Sequence, residues 1–125
     1  MKRHLLLILF FFVSHQLFAQ IASWDFTGQN QLAISTANSF DPGLTAAPIL
    51  SRGNTAGASA GANSFRTTGF QNNGIALTNT DYFELSFTAS TGKKISLSAI
   101  DAKFAGTATF YAAPGVSSQF AYSLD

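Results

Sequence analysis

The side chains here that could carry acid–base or metal chemistry are six carboxylates: Asp25, Asp41, Asp81, Glu84, Asp101 and Asp125. Both histidines, His4 and His15, fall inside an N-terminal leader, and the chain has no cysteine. Histidine-based nucleophilic triads, zinc sites built on imidazole or thiolate, and dithiol redox centres are thereby excluded beyond the leader. A carboxylate pair of the glycosidase kind remains as chemistry. Asp41 and Asp81, however, adjoin turns, where aspartate ordinarily accepts hydrogen bonds from nearby backbone. Glu84 alternates against Phe83 and Phe87 and is expected to face solvent. The expectation is a chain with no catalytic residue, not an enzyme.

Two binding chemistries stay open. A hard cation such as Ca²⁺ prefers oxygen ligands, and Asp25 and Asp101 are the metal candidates; beyond a structural Ca²⁺ no cofactor is implied. An extracellular glycan would need an aromatic ring to stack on a sugar face and hydrogen-bonding side chains beside it. Tyr82, Tyr111 and Tyr122 are the ring candidates, with Asn72 and Asn73 as donors. Each tyrosine also sits in an alternating run, where sheet packing competes with ligand stacking. Arg52 and Arg66 could meet an anionic sugar, although isolated arginines ordinarily serve solubility and local pairing.

The leader itself has three parts. Lys2 and Arg3 are basic, Leu5 to Val13 form an apolar run of nine residues, and Leu17-Phe18-Ala19 precedes Gln20. This is the pattern of a signal peptide over residues 1–19, cleaved between Ala19 and Gln20. Nine apolar residues fall well short of the roughly 20 needed to span a bilayer. A secreted or cell-surface location is therefore expected, with no stable membrane span. Cleavage would leave one domain, residues 20–125, of 106 residues out of 125. Removing Lys2 and Arg3 leaves five basic residues against six acidic ones, a formal −1 instead of +1. Those five bases are scattered, so no nucleic-acid or anionic-membrane footprint results. Without disulfides, packing must hold the domain; nine of the 13 phenylalanines lie beyond the leader, with Trp24 and three tyrosines.

Short β-type runs alternate with Gly, Asn, Ser and Thr clusters. Ile21 to Phe26 reads as a strand with Ala22, Trp24 and Phe26 on its inner face, Trp24 in the core. Gln31 to Thr36 is a weaker strand, and Asp41-Pro42-Gly43 a turn in which Gly43 tolerates positive φ. Leu44 to Leu50, interrupted by Pro48, suggests an edge strand. Thr55 to Ala62 has no large side chain to bury and reads as a mobile loop. Ser64 to Phe70 suggests a strand, and Asn72-Asn73-Gly74 a turn. Asp81 to Thr88 is the clearest strand. Lys93 to Ala99 is expected to pair with it across a five-residue loop, setting Phe87 opposite Ile95 and Leu85 opposite Leu97. A bulge near Ala99 and a resumed Ile100, Ala102, Phe104 pattern follow. Thr107 to Ala112 and Gln119 to Leu124 are two further strands around a Pro114-Gly115 turn. About eight short strands with no helix predict an all-β, antiparallel β-sandwich.

Five segments taken in order carry a resemblance: Ile21 to Gly28 (IASWDFTG), Leu50 to Gly53 (LSRG), Asn63 to Phe65 (NSF), Asp81 to Phe87 (DYFELSF) and Ile95 to Ile100 (ISLSAI). Together they resemble the N-terminal β-sandwich module of large secreted or cell-surface bacterial proteins. The leader, ending Leu17-Phe18-Ala19-Gln20, is similar to those of bacteria using type IX secretion. The resemblance implies a jelly-roll, galactose-binding-like fold and extracellular display, and it implies no reaction. In such modules the stretch around Ser123-Leu124-Asp125 continues into further strands, so the chain is expected to be a fragment, incomplete at its C-terminus. The expected role is a non-catalytic structural or interaction module that contacts other domains of its parent. The alternative is a carbohydrate-binding module of a polysaccharide-acting protein.

Overall fold

A computed structural model of the chain describes residues 20–70, 75–106 and 117–124. Among these, the architecture is all-β without a helix, and no helix is long and apolar enough to cross a membrane. Seven short strands run in chain order: β1 (Ala22–Ser23), β2 (Ser35–Thr36), β3 (Ser39–Phe40), β4 (Ile49–Arg52), β5 (Gly57–Ala58), β6 (Thr67–Thr68) and β7 (Phe83–Ser86). They form three antiparallel sheets: β1 with β3, the three-stranded β2-β4-β7, and β5 with β6.

The strands are short because small polar residues and turns interrupt them. β1 is cut off by the Thr27-Gly28 turn, closed by the Gln29 amide donating to the Phe26 carbonyl at 2.9 Å, with Gly28 at φ +76°. Only Gly reaches that φ without a Cβ penalty. The Asp41 turn closes as expected, Leu44 N–H donating to the Asp41 carbonyl at 3.0 Å. Gly43 is not among the positive-φ glycines, so the turn makes no use of its conformational latitude.

Side-chain and backbone hydrogen bonds join and extend the sheets. Trp24, just after β1, donates its Nε1–H to the Ser35 carbonyl of β2 at 3.0 Å. Asn38 N–H donates to the Ser23 carbonyl, and Ala37 N–H to the Pro48 carbonyl. Arg52 of β4 reaches the β5–β6 sheet through Thr67 and Arg66. Mostly small residues hold the buried interior: Ala37, Ala56 and Ser35 are buried along with Leu44, and no large side chain among the described residues is fully enclosed. Trp24 is half-buried rather than enclosed.

Several expectations are corrected. The strand expected at Leu44 to Leu50 is neither continuous nor an edge: Leu44 makes an isolated bridge with Ala89, and β4 is the central strand of its sheet. Pro48, which lacks the N–H a central strand needs, stands just before β4 and serves only as an acceptor. The Thr55 to Ala62 segment is not simply a loop, because Gly57–Ala58 pairs with Thr67–Thr68. Asparagine side chains fix what surrounds it: Asn63 Oδ1 accepts from Gly28 N–H at 2.8 Å and Asn30 Oδ1 from Gly61 N–H at 2.9 Å.

The partner of β7 is β4, not Lys93 to Ala99: Leu85 faces Leu50, and Phe83 faces Arg52. Residues 93–106 and 117–124 carry no strand, so neither the bulge near Ala99 nor a Gln119 to Leu124 strand is formed. The turn after β7 gives the reason. Lys93 N–H donates to the Ser90 carbonyl at 2.9 Å, with Gly92 at φ +77°. A ladder growing from that closure would set Phe87 opposite Ser96 and Leu85 opposite Ser98. Such a register places the two apolar rows on opposite faces. Asn72-Asn73-Gly74, Thr107 to Ala112 and Pro114-Gly115 lie outside the described residues, as does the leader.

Candidate functional site

The most elaborated side-chain cluster centres on Arg52 at the end of β4. Its Nε–H donates to Thr67 Oγ1 at 2.6 Å, one Nη1 reaches the Leu32 and Ala33 carbonyls at 2.8 Å each, and Nη2 reaches the Arg66 carbonyl at 3.0 Å. Its Cζ stands 3.5 Å from the centre of the Phe65 ring. A planar guanidinium suits this work because it can donate in a fixed fork and stack on a ring at once. Burial lowers the Arg52 pKa from its usual value, yet the group stays charged at any ordinary pH. Arg66 is likewise engaged, donating from Nη1 to the Ala60 carbonyl at 2.8 Å. Arg52 is thus occupied with the protein's own oxygens, whereas the exposed Arg66 commits a single donor.

Phe65 leads outward from Arg52 into a row of rings. Phe26 stacks on it at 6.0 Å between centroids, and Phe83 of β7 lies 5.9 Å away. Phe83 in turn meets Phe70 at 5.2 Å and Phe104 at 6.4 Å. Phe26 and Phe65 are half-buried, whereas Phe70, Phe83 and Phe104 are exposed, Phe104 by 61%. Leu85, on the same face of β7 as Phe83, extends the apolar surface. Scattered exposed apolar residues are ordinary, but a contiguous aromatic patch marks a contact surface.

The tyrosines separate. Tyr82 is 47% exposed, its ring against Gly53, where an added Cβ would come within 2.8 Å of Tyr82 Cε1 and collide with the Thr80 carbonyl. Tyr122 is 90% exposed with no strand around it, and Tyr111 lies outside the described residues, as do Asn72 and Asn73.

Among the carboxylates, Asp25 is engaged locally through one oxygen. Its Oδ1 accepts from the Thr27 hydroxyl at 2.7 Å and from the Thr27 amide at 2.9 Å. These two bonds, the hydroxyl first, hold its carboxyl below the usual value. Asp101 is exposed in a stretch without strand. Among the described residues no group of three or more His, Cys, Asp or Glu is placed to hold a metal ion, so Asp25 and Asp101 are not part of such a cluster. Asp41 Oδ1 accepts from Gly43 N–H at 2.6 Å, the turn duty expected of it, and Glu84 is exposed. Asp41 also lines an open groove of about 590 Å³ together with Ile21, Leu44, Ile95, Lys93 and Lys94.

Sequence reasoning passed over Arg52 as an anchor. Its acceptors are three backbone carbonyls and a threonine, and carbonyls leave no residue-type signature to read. Comparison with known proteins finds no matching family model, no matching curated protein and no matching solved structure.

Proposed function

We propose that this chain is a secreted or cell-surface, non-catalytic interaction module of a larger protein, its three sheets forming part of a jelly-roll β-sandwich. The observation carrying this reading is the exposed row Phe70–Phe83–Phe104, braced from beneath by Phe65 on the Arg52 cation. An aromatic patch set on a hydrogen-bonded foundation is built to meet another apolar protein surface, such as a neighbouring domain of the parent. The signal-peptide pattern of residues 1–19 supports export.

Two measurements test it. Extracellular material should begin at Gln20 on N-terminal sequencing, and the double variant Phe70→Ser/Phe104→Ser should be retained at the cell surface at least several-fold less than wild type. Cytosolic material still carrying Met1, or undiminished retention of the variant, overturns the reading.

A second reading, binding of an extracellular glycan, is favoured by one observation. The half-exposed Tyr82 ring is backed by Gly53 and so presented as a platform. Specific binding on a glycan array that disappears in Tyr82→Ala without loss of fold would give this reading precedence.

A further inference from the structure

We infer that the outer edge of β7 is a strand-addition site, which takes an extended segment of a partner protein as the next strand of the β2-β4-β7 sheet. This deepens the interaction-module reading and rests on it. β7 closes one side of that sheet, since the order is β2-β4-β7. In an antiparallel pair the residues alternate between facing their partner and facing away. Gly53 N–H donates to the Tyr82 carbonyl, and further along Thr45 N–H donates to the Thr88 carbonyl, so the even-numbered residues face β4 and its extension. The N–H and C=O groups of Phe83 and Leu85 therefore point outward, where no backbone partner is recorded among the described residues.

β7 is short and carries one charge, Glu84, but the stronger protections of such an edge are missing. Natural edges are blunted by lysine, proline, bulges or a covering element. β7 reads Phe83-Glu84-Leu85-Ser86, with no proline or lysine, and pairs with β4 over four consecutive residues without a bulge. The adjacent segment, residues 93–106, carries no strand, and the Ser90–Lys93 turn puts it out of register with the apolar row. The edge specifies its occupant: an extended backbone supplies the missing hydrogen bonds, and alternating side chains set the specificity. Apolar residues on the Phe83 and Leu85 side and a cation near the exposed Glu84 carboxylate define that strand.

The probe is a fluorescein-labelled hexapeptide of sequence Thr-Val-Lys-Val-Thr-Val, titrated against the full chain by fluorescence anisotropy. Two N-methylated versions carry the test: one methylated at the first, third and fifth residues, the other at the second, fourth and sixth. A strand added to β7 uses only one of these alternate sets of N–H groups. Saturable binding that one methylated peptide loses at least 10-fold and the other retains within about twofold supports the inference. Absence of saturable binding, or equal loss from both methylated peptides, overturns it. Glu84→Lys should weaken the unmethylated peptide about threefold or more and restore binding to a Glu-centred peptide; indifference to that reversal counts against the proposed strand. A failed peptide series alongside normal dependence of surface retention on Phe70 and Phe104 would reject the edge site while leaving the interaction-module reading in place.

Discussion

Two halves of this molecule are held by different forces. Around β4, β5 and β6, short stretches of Ala, Ser, Thr and Gly are fixed by directed hydrogen bonds: Arg52 to four acceptors, Asn30 and Asn63 to Gly61 and Gly28, and Trp24 to Ser35. Beyond β7 the composition is richer in large apolar residues, yet Leu97, Ile100, Phe104, Phe120 and Leu124 are all exposed and the described residues form no strand. The difference teaches that apolar residues alone do not order a chain. Burial needs a facing surface, while a guanidinium or carboxamide can order nearby backbone by itself. In the first region polar side chains do what a hydrophobic core does elsewhere.

If that contrast is right, Arg52 is the residue whose loss matters most. Arg52→Ala removes hydrogen bonds that join β4 to β6 and to the Leu32–Ala33 segment, together with the contact on Phe65. The expected cost is about 2–4 kcal/mol, given roughly 1.5–3 kcal/mol for a charged hydrogen bond and about 0.5–1 for a part-exposed cation–π contact, discounted because several partners can turn to water. Arg52→Lys keeps the charge and loses the fork, so more than half of that loss should remain. Urea denaturation measures both, and a shift below about 0.5 kcal/mol for Arg52→Ala would erase the distinction between the halves. Gly53→Ala comes next. Gly53 is buried, and a Cβ there would run into the Thr80 carbonyl, so a loss of about 1–3 kcal/mol is expected from backbone displacement.

The contrast also explains what the sequence made legible. The all-β class followed from the alternation in Asp81 to Thr88 and from the turn chemistry at Asp41, both local signals. Strand partners did not follow, because β7 can be matched by pattern to Lys93–Ala99 as readily as to β4. The choice depends on the Ser90–Lys93 closure, whose one-residue phase the side-chain pattern does not encode. The order in Thr55 to Ala62 was hidden for another reason: it is imposed by the distant Asn30, through Gly61, and by pairing with Thr67–Thr68, and neither leaves a mark in the segment's own side chains. At the candidate site, Tyr82 could be named from its position in the strand, but the Phe65–Phe83–Phe104 row joins three separated segments and exists only in the fold.

Smaller effects sharpen the comparison. Trp24→Phe keeps a ring near Phe87, 6.5 Å away at 78°, but loses the hydrogen bond to the Ser35 carbonyl. A loss of about 1 kcal/mol is expected, the net worth of one ordinary hydrogen bond. By contrast, Phe104→Ser beyond β7 should change stability by less than about 0.5 kcal/mol, as for an exposed position. Should Phe104→Ser cost more than Trp24→Phe in the same denaturation assay, the region beyond β7 would be shown to hold buried contacts and the two halves would not differ in kind.

The smallest effect is one of pH. Asp25 accepts two hydrogen bonds from Thr27, and these lower its carboxyl pKa below the ordinary 3.8. A group whose pKa is depressed in the folded state stabilises it fully above the unfolded value, and that contribution fades as pH falls through the folded value. Asp25→Asn can still accept from Thr27 through its amide oxygen but carries no titrating charge. The melting temperature of wild type should therefore exceed that of Asp25→Asn slightly at neutral pH, with the gap closing as the solution is taken below about pH 4, near the unperturbed aspartate value. A gap that stays constant down to pH 2 would mean that the charge on Asp25 adds nothing to the Thr27 turn. The hydrogen-bonded region would then depend on neutral donors and acceptors and on Arg52, with its surface carboxylates as incidental to order as the exposed phenylalanines beyond β7.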